Sequence, residues 1–157
     1  MLTEREKASR EDALGSSDAP VVCGVSPYKR PIELWHEISG TIPRYNDQET
    51  AYQRIGSKLQ PVIAEIAAEE LGIKIRRCAP RVSVEHSFMS ANLDYEIVNN
   101  PKGPGVFEIK NRSGVKPWAA IPEDVEIQVR HQMAVTKRHW GIVAALFQFG
   151  AIKSYEI

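Results

Sequence analysis

Three side chains of one short stretch could do chemistry together: Asp94, Glu108 and Lys110. In Val106-Phe107-Glu108-Ile109-Lys110 apolar and polar residues alternate, so a strand would send Phe107 and Ile109 to one face and Glu108 and Lys110 to the other. Between Leu93-Asp94 and this arm stands a turn rich in Asn, Pro and Gly, Asn99-Asn100-Pro101-Lys102-Gly103-Pro104-Gly105. Two arms joined in this way predict a β-hairpin that folds Asp94 back beside Glu108 and Lys110. Two carboxylates suit a hard divalent cation such as Mg²⁺, which keeps several waters and takes one or two protein carboxylates plus substrate phosphate. A lysine alongside could orient or help deprotonate the attacking water, or neutralise charge developing on phosphorus. The chemistry implied is metal-assisted phosphodiester hydrolysis.

The surrounding elements must position these groups. Gly15-Ser16-Ser17-Asp18-Ala19 predicts a tight turn in which Ser16, Ser17 or Asp18 N-caps a short helix ending near Gly24, a setting that suits a phosphate. Pro31 and Gly40 bracket a second helix, Ile32 to Ser39, with Leu34, Trp35 and Ile38 as its buried face. A long helix is expected from about Thr50 to Leu71, stopped by Gly72, with Leu59, Val62, Ile63, Ile66, Ala67 and Leu71 as the stripe facing a sheet. Pro61 lies inside it, so either the helix kinks there or it begins there. Ile73 to Arg77, Pro80 to Glu85, Phe88 to Asp94 and Tyr95 to Val98 read as short strands, and His86 as a surface histidine. A further helix spans about Glu123 to Thr136, with Val125, Val129 and Met133 inward and Gln128 and Gln132 sharing an adjacent face. The apolar run from Gly141 to Phe149 predicts a strand buried on both faces, with Ile152 to Ile157 as its hairpin partner. The fold class expected is α/β, a mixed central sheet flanked by helices.

Composition sets the bounds. A chain of 157 residues is expected to form a single domain that needs no staples. Hydrophobic content of 43% and charged content of 25% are those of a globular protein. No apolar run approaches the roughly 20 residues of a membrane span, and the charged start Met1-Leu2-Thr3-Glu4-Arg5-Glu6-Lys7 does not read as a signal peptide. A cytoplasmic site with no membrane partner is expected. Cys23 and Cys78, isolated from one another, read as reduced and buried. Formal net charge is +0, from 20 basic and 20 acidic residues, so any attraction for nucleic acid must be local.

Asp94 followed by Glu108-Ile109-Lys110 resembles the PD-(D/E)xK nuclease signature, with Leu93 at the nominal proline. Gly15-Ser16-Ser17-Asp18-Ala19, then Gly24-Val25-Ser26-Pro27-Tyr28, then Pro31-Ile32-Glu33-Leu34-Trp35 is similar to the N-terminal region of the YqaJ-type viral recombinases. These form the lambda-exonuclease-like branch of that superfamily. The resemblance extends from Arg10 to Ile157 and implies a restriction-endonuclease-like PD-(D/E)xK core. It implies a Mg²⁺-dependent DNA exonuclease, with Mn²⁺ as a substitute, that resects duplex ends 5′ to 3′. It also implies a single-strand annealing protein as partner and a homo-oligomeric ring around DNA.

Carried over residue by residue, the resemblance makes Asp94, Glu108, Lys110 and Gln128 catalytic and gives the metal to Asp94, Glu108, Ile109 and Gln60. Gln128 enters through Ile127-Gln128-Val129-Arg130-His131-Gln132, similar to the family's Q-x-x-x-Q helix motif; without it, the two glutamines would read as ordinary solvated residues. Gln60 stands where the family's G-x-x-L-E-P segment has glutamate; an amide oxygen can ligate a cation but brings no charge. Arg10 and Ser17, seven apart, are expected to hold the terminal 5′-phosphate, and Asn92 takes the place of a phosphate-touching serine two before the aspartate. Gln60 and Leu93 keep a second reading open, a catalytically weak or silent DNA-end-binding recombination accessory protein. A RecB-like endonuclease is the alternative within the nuclease class.

Overall fold

The computed structural model describes residues 13–44, 50–112, 114 and 116–157. Five strands make the main sheet, in the order β1 (Lys74–Arg76), β4 (Tyr95–Val98), β5 (Gly105–Asn111), β6 (Gly141–Leu146), β7 (Ile152–Glu156). A separate pair, β2 (Arg81–Val82) and β3 (Ser90–Ala91), leads into the Asp94 segment. All pairings in the main sheet are antiparallel except β5 with β6, which run parallel. A parallel pair needs a crossover. Helix α4 (Glu123–Thr136) supplies it, and the sheet is mixed, as expected.

Period-two alternation divides β5 and β6 between two cores. Phe107, Ile109, Ile142 and Ala144 pack with Ile63, Ala64 and Ala67 of the long helix α3 (Ala51–Leu71). Val106 and Val143 point the other way, into Val125, Val129 and Val135 of α4. Glu108 and Lys110 share that second face, beneath α4.

Helix α3 starts at Thr50, whose hydroxyl accepts from the Gln53 amide while the Gln53 side chain returns to the Thr50 amide, a reciprocal cap. It ends at Gly72, in the left-handed conformation at φ 62°. It runs unbroken through Pro61, so the helix does not begin there. Its inward stripe is Ile63, Ala64, Ala67 and Ala68, whereas Val62, Ile66 and Leu71, expected inside, are exposed. Small side chains let the helix lie close to the sheet, and closeness decided which side turned inward.

The N-terminal elements depart further from expectation. Helix α1 covers only Ala19–Val22, and Asp18 stands at its N-cap position without a side-chain capping bond; the carboxylate accepts instead from the Gly15 amide at 2.8 Å and from Arg44 at 2.8 Å. Helix α2 (Pro31–Ile38) buries Leu34, but Trp35 and Ile38 are exposed. Both cysteines are free; Cys23 is exposed and Cys78 half-buried, so neither is the fully buried thiol expected. Strand β6 stops at Leu146, and Phe149 is exposed at φ 61° in a turn before β7. His86 is exposed, as expected.

Candidate active site

The register of β4 against β5 pairs Tyr95 with Phe107 and Glu96 with Val106. One step back along β4, Asp94 therefore stands opposite Glu108, and its carboxylate accepts the Ile109 amide at 2.8 Å. The hairpin predicted from the Asn/Pro/Gly turn is present, and it brings the two acids together.

Glu108 is buried, and side chains from two elements satisfy it. Its Oε1 accepts from Lys110 Nζ at 2.7 Å and from Gln128 Nε2 at 2.7 Å. Its Oε2 accepts from Gln132 Nε2 at 2.8 Å. Lys110 also donates to Gln128 Oε1 at 2.8 Å, so Lys110, Glu108 and Gln128 close a triangle. An ionised carboxylate offers about four lone-pair sites. Three are occupied here, which leaves room for one more electrophile on Glu108.

Burial, and after it the charge of Glu108, pushes the Asp94 carboxyl from its ordinary 3.8 up to about 8. The Ile109 amide, Lys110 and the nearby Gln60 side chain pull the other way without prevailing. Two acids forced together with one of them resisting ionisation form a setting that a cation would relieve. Among the described residues no group of three His, Cys, Asp or Glu could hold a metal ion. A cation here would rest on two carboxylates plus neutral oxygens, the donor set Mg²⁺ accepts.

Gln132 was missed as a site residue. Its side chain is fully buried and aimed at Glu108, with its own Oε1 unpartnered among the described residues. The available signal was its spacing: four residues after Gln128 on a helix places both amides above the same strand position.

The expected phosphate-holding residues are placed unevenly. Arg10 lies outside the described residues. Ser17 is exposed in the turn before α1, and Ser16 beside it is buried with a hydroxyl that has no partner among the described residues. Leu14 forms a parallel bridge to Met89, with the Leu14 amide on Phe88 O at 2.7 Å and the Ser90 amide on Leu14 O at 2.8 Å. The Gly15–Asp18 turn is thereby tied to the segment that runs through Asn92, which is half-buried, into Asp94. His131 of α4 bonds Ser90 O at 3.0 Å and stays neutral more readily than usual because it is largely buried.

Known proteins share this fold. Solved structures similar to the chain include an alkaline exonuclease from Laribacter hongkongensis, at a TM-score of 0.72 and 17% identity over 96% of this chain and 79% of that one. The same exonuclease in complex with dAMP gives a TM-score of 0.74 at 16% identity, over 98% and 80% of the two chains. A phage related exonuclease from Haemophilus somnus 129PT gives 0.61 at 11%, over 92% and 83%. At these identities the likeness is one of fold. In sequence, the chain is 33% identical over 132 residues to the protein YqaJ of Bacillus subtilis (strain 168), covering 80% of this chain and 40% of that relative. The model of the YqaJ-like viral recombinase domain matches residues 7–139, a span that takes in the Gly15–Asp18 turn, the Asp94–Glu108 pair and α4, and the chain belongs to that family.

Proposed function

We propose that the chain is a divalent-cation-dependent deoxyribonuclease that resects duplex ends 5′ to 3′ in phage-type recombination. The observation that carries this reading is Asp94 opposite Glu108, with Lys110 on the same face and held between Glu108 and Gln128. The exonuclease names of the structural relatives agree with it.

Asp94 and Glu108 would hold Mg²⁺, with the Ile109 backbone and the Gln60 amide as neutral neighbours. When bound, the ion would supply Lewis acidity at the phosphoryl oxygen and lower the pKa of attacking water. The chain's own part is positional. Gln128 and Glu108 fix the Lys110 ammonium, which donates to the attacking water or to the phosphoryl oxygen as charge develops. Gln132 keeps the Glu108 carboxylate from turning. Ser17, Asn92 and Arg10 would receive the terminal phosphate, whose nearly two charges distinguish an end from an internal phosphodiester.

A second reading, a weak or silent end-binding protein, is favoured by Gln60, a neutral amide near Asp94 where a third acid would add charge. An annealing protein as partner and a ring of copies belong to the first reading; enclosure would retain DNA where a net charge of +0 does not.

The test is a duplex labelled at its 5′ or 3′ ends, with and without Mg²⁺. Mononucleotides released first from the 5′ ends, faster from 5′-phosphate than from 5′-hydroxyl, support resection. Internal cuts with no end preference favour the endonuclease, and binding without release favours the silent protein.

A further inference from the structure

Two residues beyond Lys110, Arg112 is built into a setting that the reaction as described does not use. Its backbone amide continues the ladder, donating to Leu146 O at 2.8 Å, so its side chain leaves on the face that carries Glu108 and Lys110. Its guanidinium carbon lies 5.3 Å from the ring centroid of Trp118, and Nη1 donates to the Tyr28 hydroxyl at 3.2 Å. Trp118 is held in turn by Phe147 edge-on at 5.2 Å and by Tyr155, whose hydroxyl donates to Trp118 O at 2.9 Å. The guanidinium is thus seated on a fixed ring. Yet among the described residues the buried Nε has no partner and no carboxylate pairs with Arg112. A part-buried cation without a counter-charge is costly.

Tyr28 is 80% exposed, so a ring tethered at its hydroxyl offers its face to solvent. Two strand residues span about 6.6 Å, comparable with the separation of successive phosphates along a nucleic-acid strand. An anion repeating at that interval, one unit at Lys110 and the next at Arg112, supplies the missing counter-charge. An aromatic face beside it suits a base, since every base has a π-face.

We propose that Arg112 and Tyr28, with Trp118 as their support, form a nucleotide subsite adjoining the reaction centre, in which Arg112 holds the phosphate next to the one cleaved and Tyr28 stacks on the base attached to it. The position relative to the cut rests on the nuclease reading; the binding does not.

The experiment measures affinity for a 5′-phosphorylated duplex in Ca²⁺, under conditions of little turnover, while single phosphates of one strand are replaced by neutral methylphosphonates. In the parent, one position near the end should lower affinity by about tenfold or more. In Arg112→Gln that position should become silent while the others keep their effects. Arg112→Lys, which keeps the charge but loses the planar fork, should fall between the two and serves if the glutamine variant does not fold. Tyr28→Ala should weaken binding roughly tenfold, and an abasic nucleotide at the same position should add nothing further to it. Equal methylphosphonate effects in parent and variants at every position overturn the subsite, even in a chain that digests DNA normally. A position-specific loss in a chain that releases no nucleotide in Mg²⁺ upholds the subsite and defeats the hydrolysis reading alone.

Discussion

At Glu108, three donors converge on a carboxylate that an isolated strand would leave to water. Gln132 is the buried member, and replacing it by leucine leaves Oε2 without that bond. Losing a bond to a buried charge costs about 1 to 3 kcal/mol, so Gln132→Leu should unfold at lower temperature in the absence of metal. Because the carboxylate would no longer be aimed, the Mg²⁺ concentration for half-maximal cleavage should rise about tenfold or more. A variant with parental stability and parental Mg²⁺ dependence would remove Gln132 from the site.

Asp94 gives a prediction in pH. Its carboxyl in the folded, metal-free chain keeps a proton from about 4 up to about 8, a range in which the unfolded chain has released it. The folded state then binds more protons, so its stability is greatest below the ordinary value and falls as pH rises through that window. Thermal unfolding in EDTA should show this decline, Asp94→Asn should flatten it, and Mg²⁺ should oppose it by pairing with the ionised form. A parent whose unfolding temperature climbs across the window would mean that Asp94 is ionised in the folded chain.

Among the elements, β5 and α4 were the most legible in the sequence, and the site lies between them. Alternation in Val106-Phe107-Glu108-Ile109-Lys110 set the faces correctly because both faces of β5 are covered, and a one-residue slip would exchange two cores. Helix α4 spans the residues that its period predicts. The stripe of α3 was misread because hydrophobicity ranks Val62 and Ile66 above Ala64 and Ala68, while the approach of helix to sheet ranks by size. Trp35 and Ile38 were placed inside α2 on periodicity alone, which does not say whether anything lies opposite. The sequence places Gln132 on the face of Gln128 but gives it no role, because a glutamine's burial depends on a carboxylate from another element, which no local pattern reveals.

Beside the site, the same β4 face carries Glu96, buried and paired with buried Arg138 and with Arg76 of β1. Burial alone would raise the Glu96 carboxyl, but Arg76 and Arg138 together hold it below the usual range. Arg138 Nε and Nη1 have no partner among the described residues, so this cation depends heavily on Glu96. Glu96→Gln should therefore cost about 3 to 5 kcal/mol, a fall in unfolding temperature of roughly 10 °C. The paired change Glu96→Leu with Arg138→Met should cost less than Glu96→Leu alone, because no uncompensated charge remains. If the double variant is the less stable, the pair contributes more than mutual neutralisation.

For the whole molecule, a net charge of +0 means that any attraction for DNA must be local, and the groups proposed for it are Lys110 on β5, Arg112 just beyond that strand and the polar turn at Gly15–Asp18. No helix among the described residues is long and apolar enough to cross a membrane. The chain spans 40% of the length of its Bacillus subtilis relative, so what the longer protein does in full is a matter for the proposal above. The proposed chemistry rests on a smaller unit, Asp94 and Glu108, which together would carry a metal-dependent hydrolysis of DNA. Its direct test is single-turnover nucleotide release from a 5′-phosphorylated duplex at saturating Mg²⁺, for the parent, Asp94→Ala, Glu108→Ala and Lys110→Ala. Neither carboxylate variant should release nucleotide measurably, and Lys110→Ala should lose about a hundredfold or more in rate with DNA affinity nearly kept. Release by Asp94→Ala at the parental rate would mean that the Asp94–Glu108 pair is not the reaction centre.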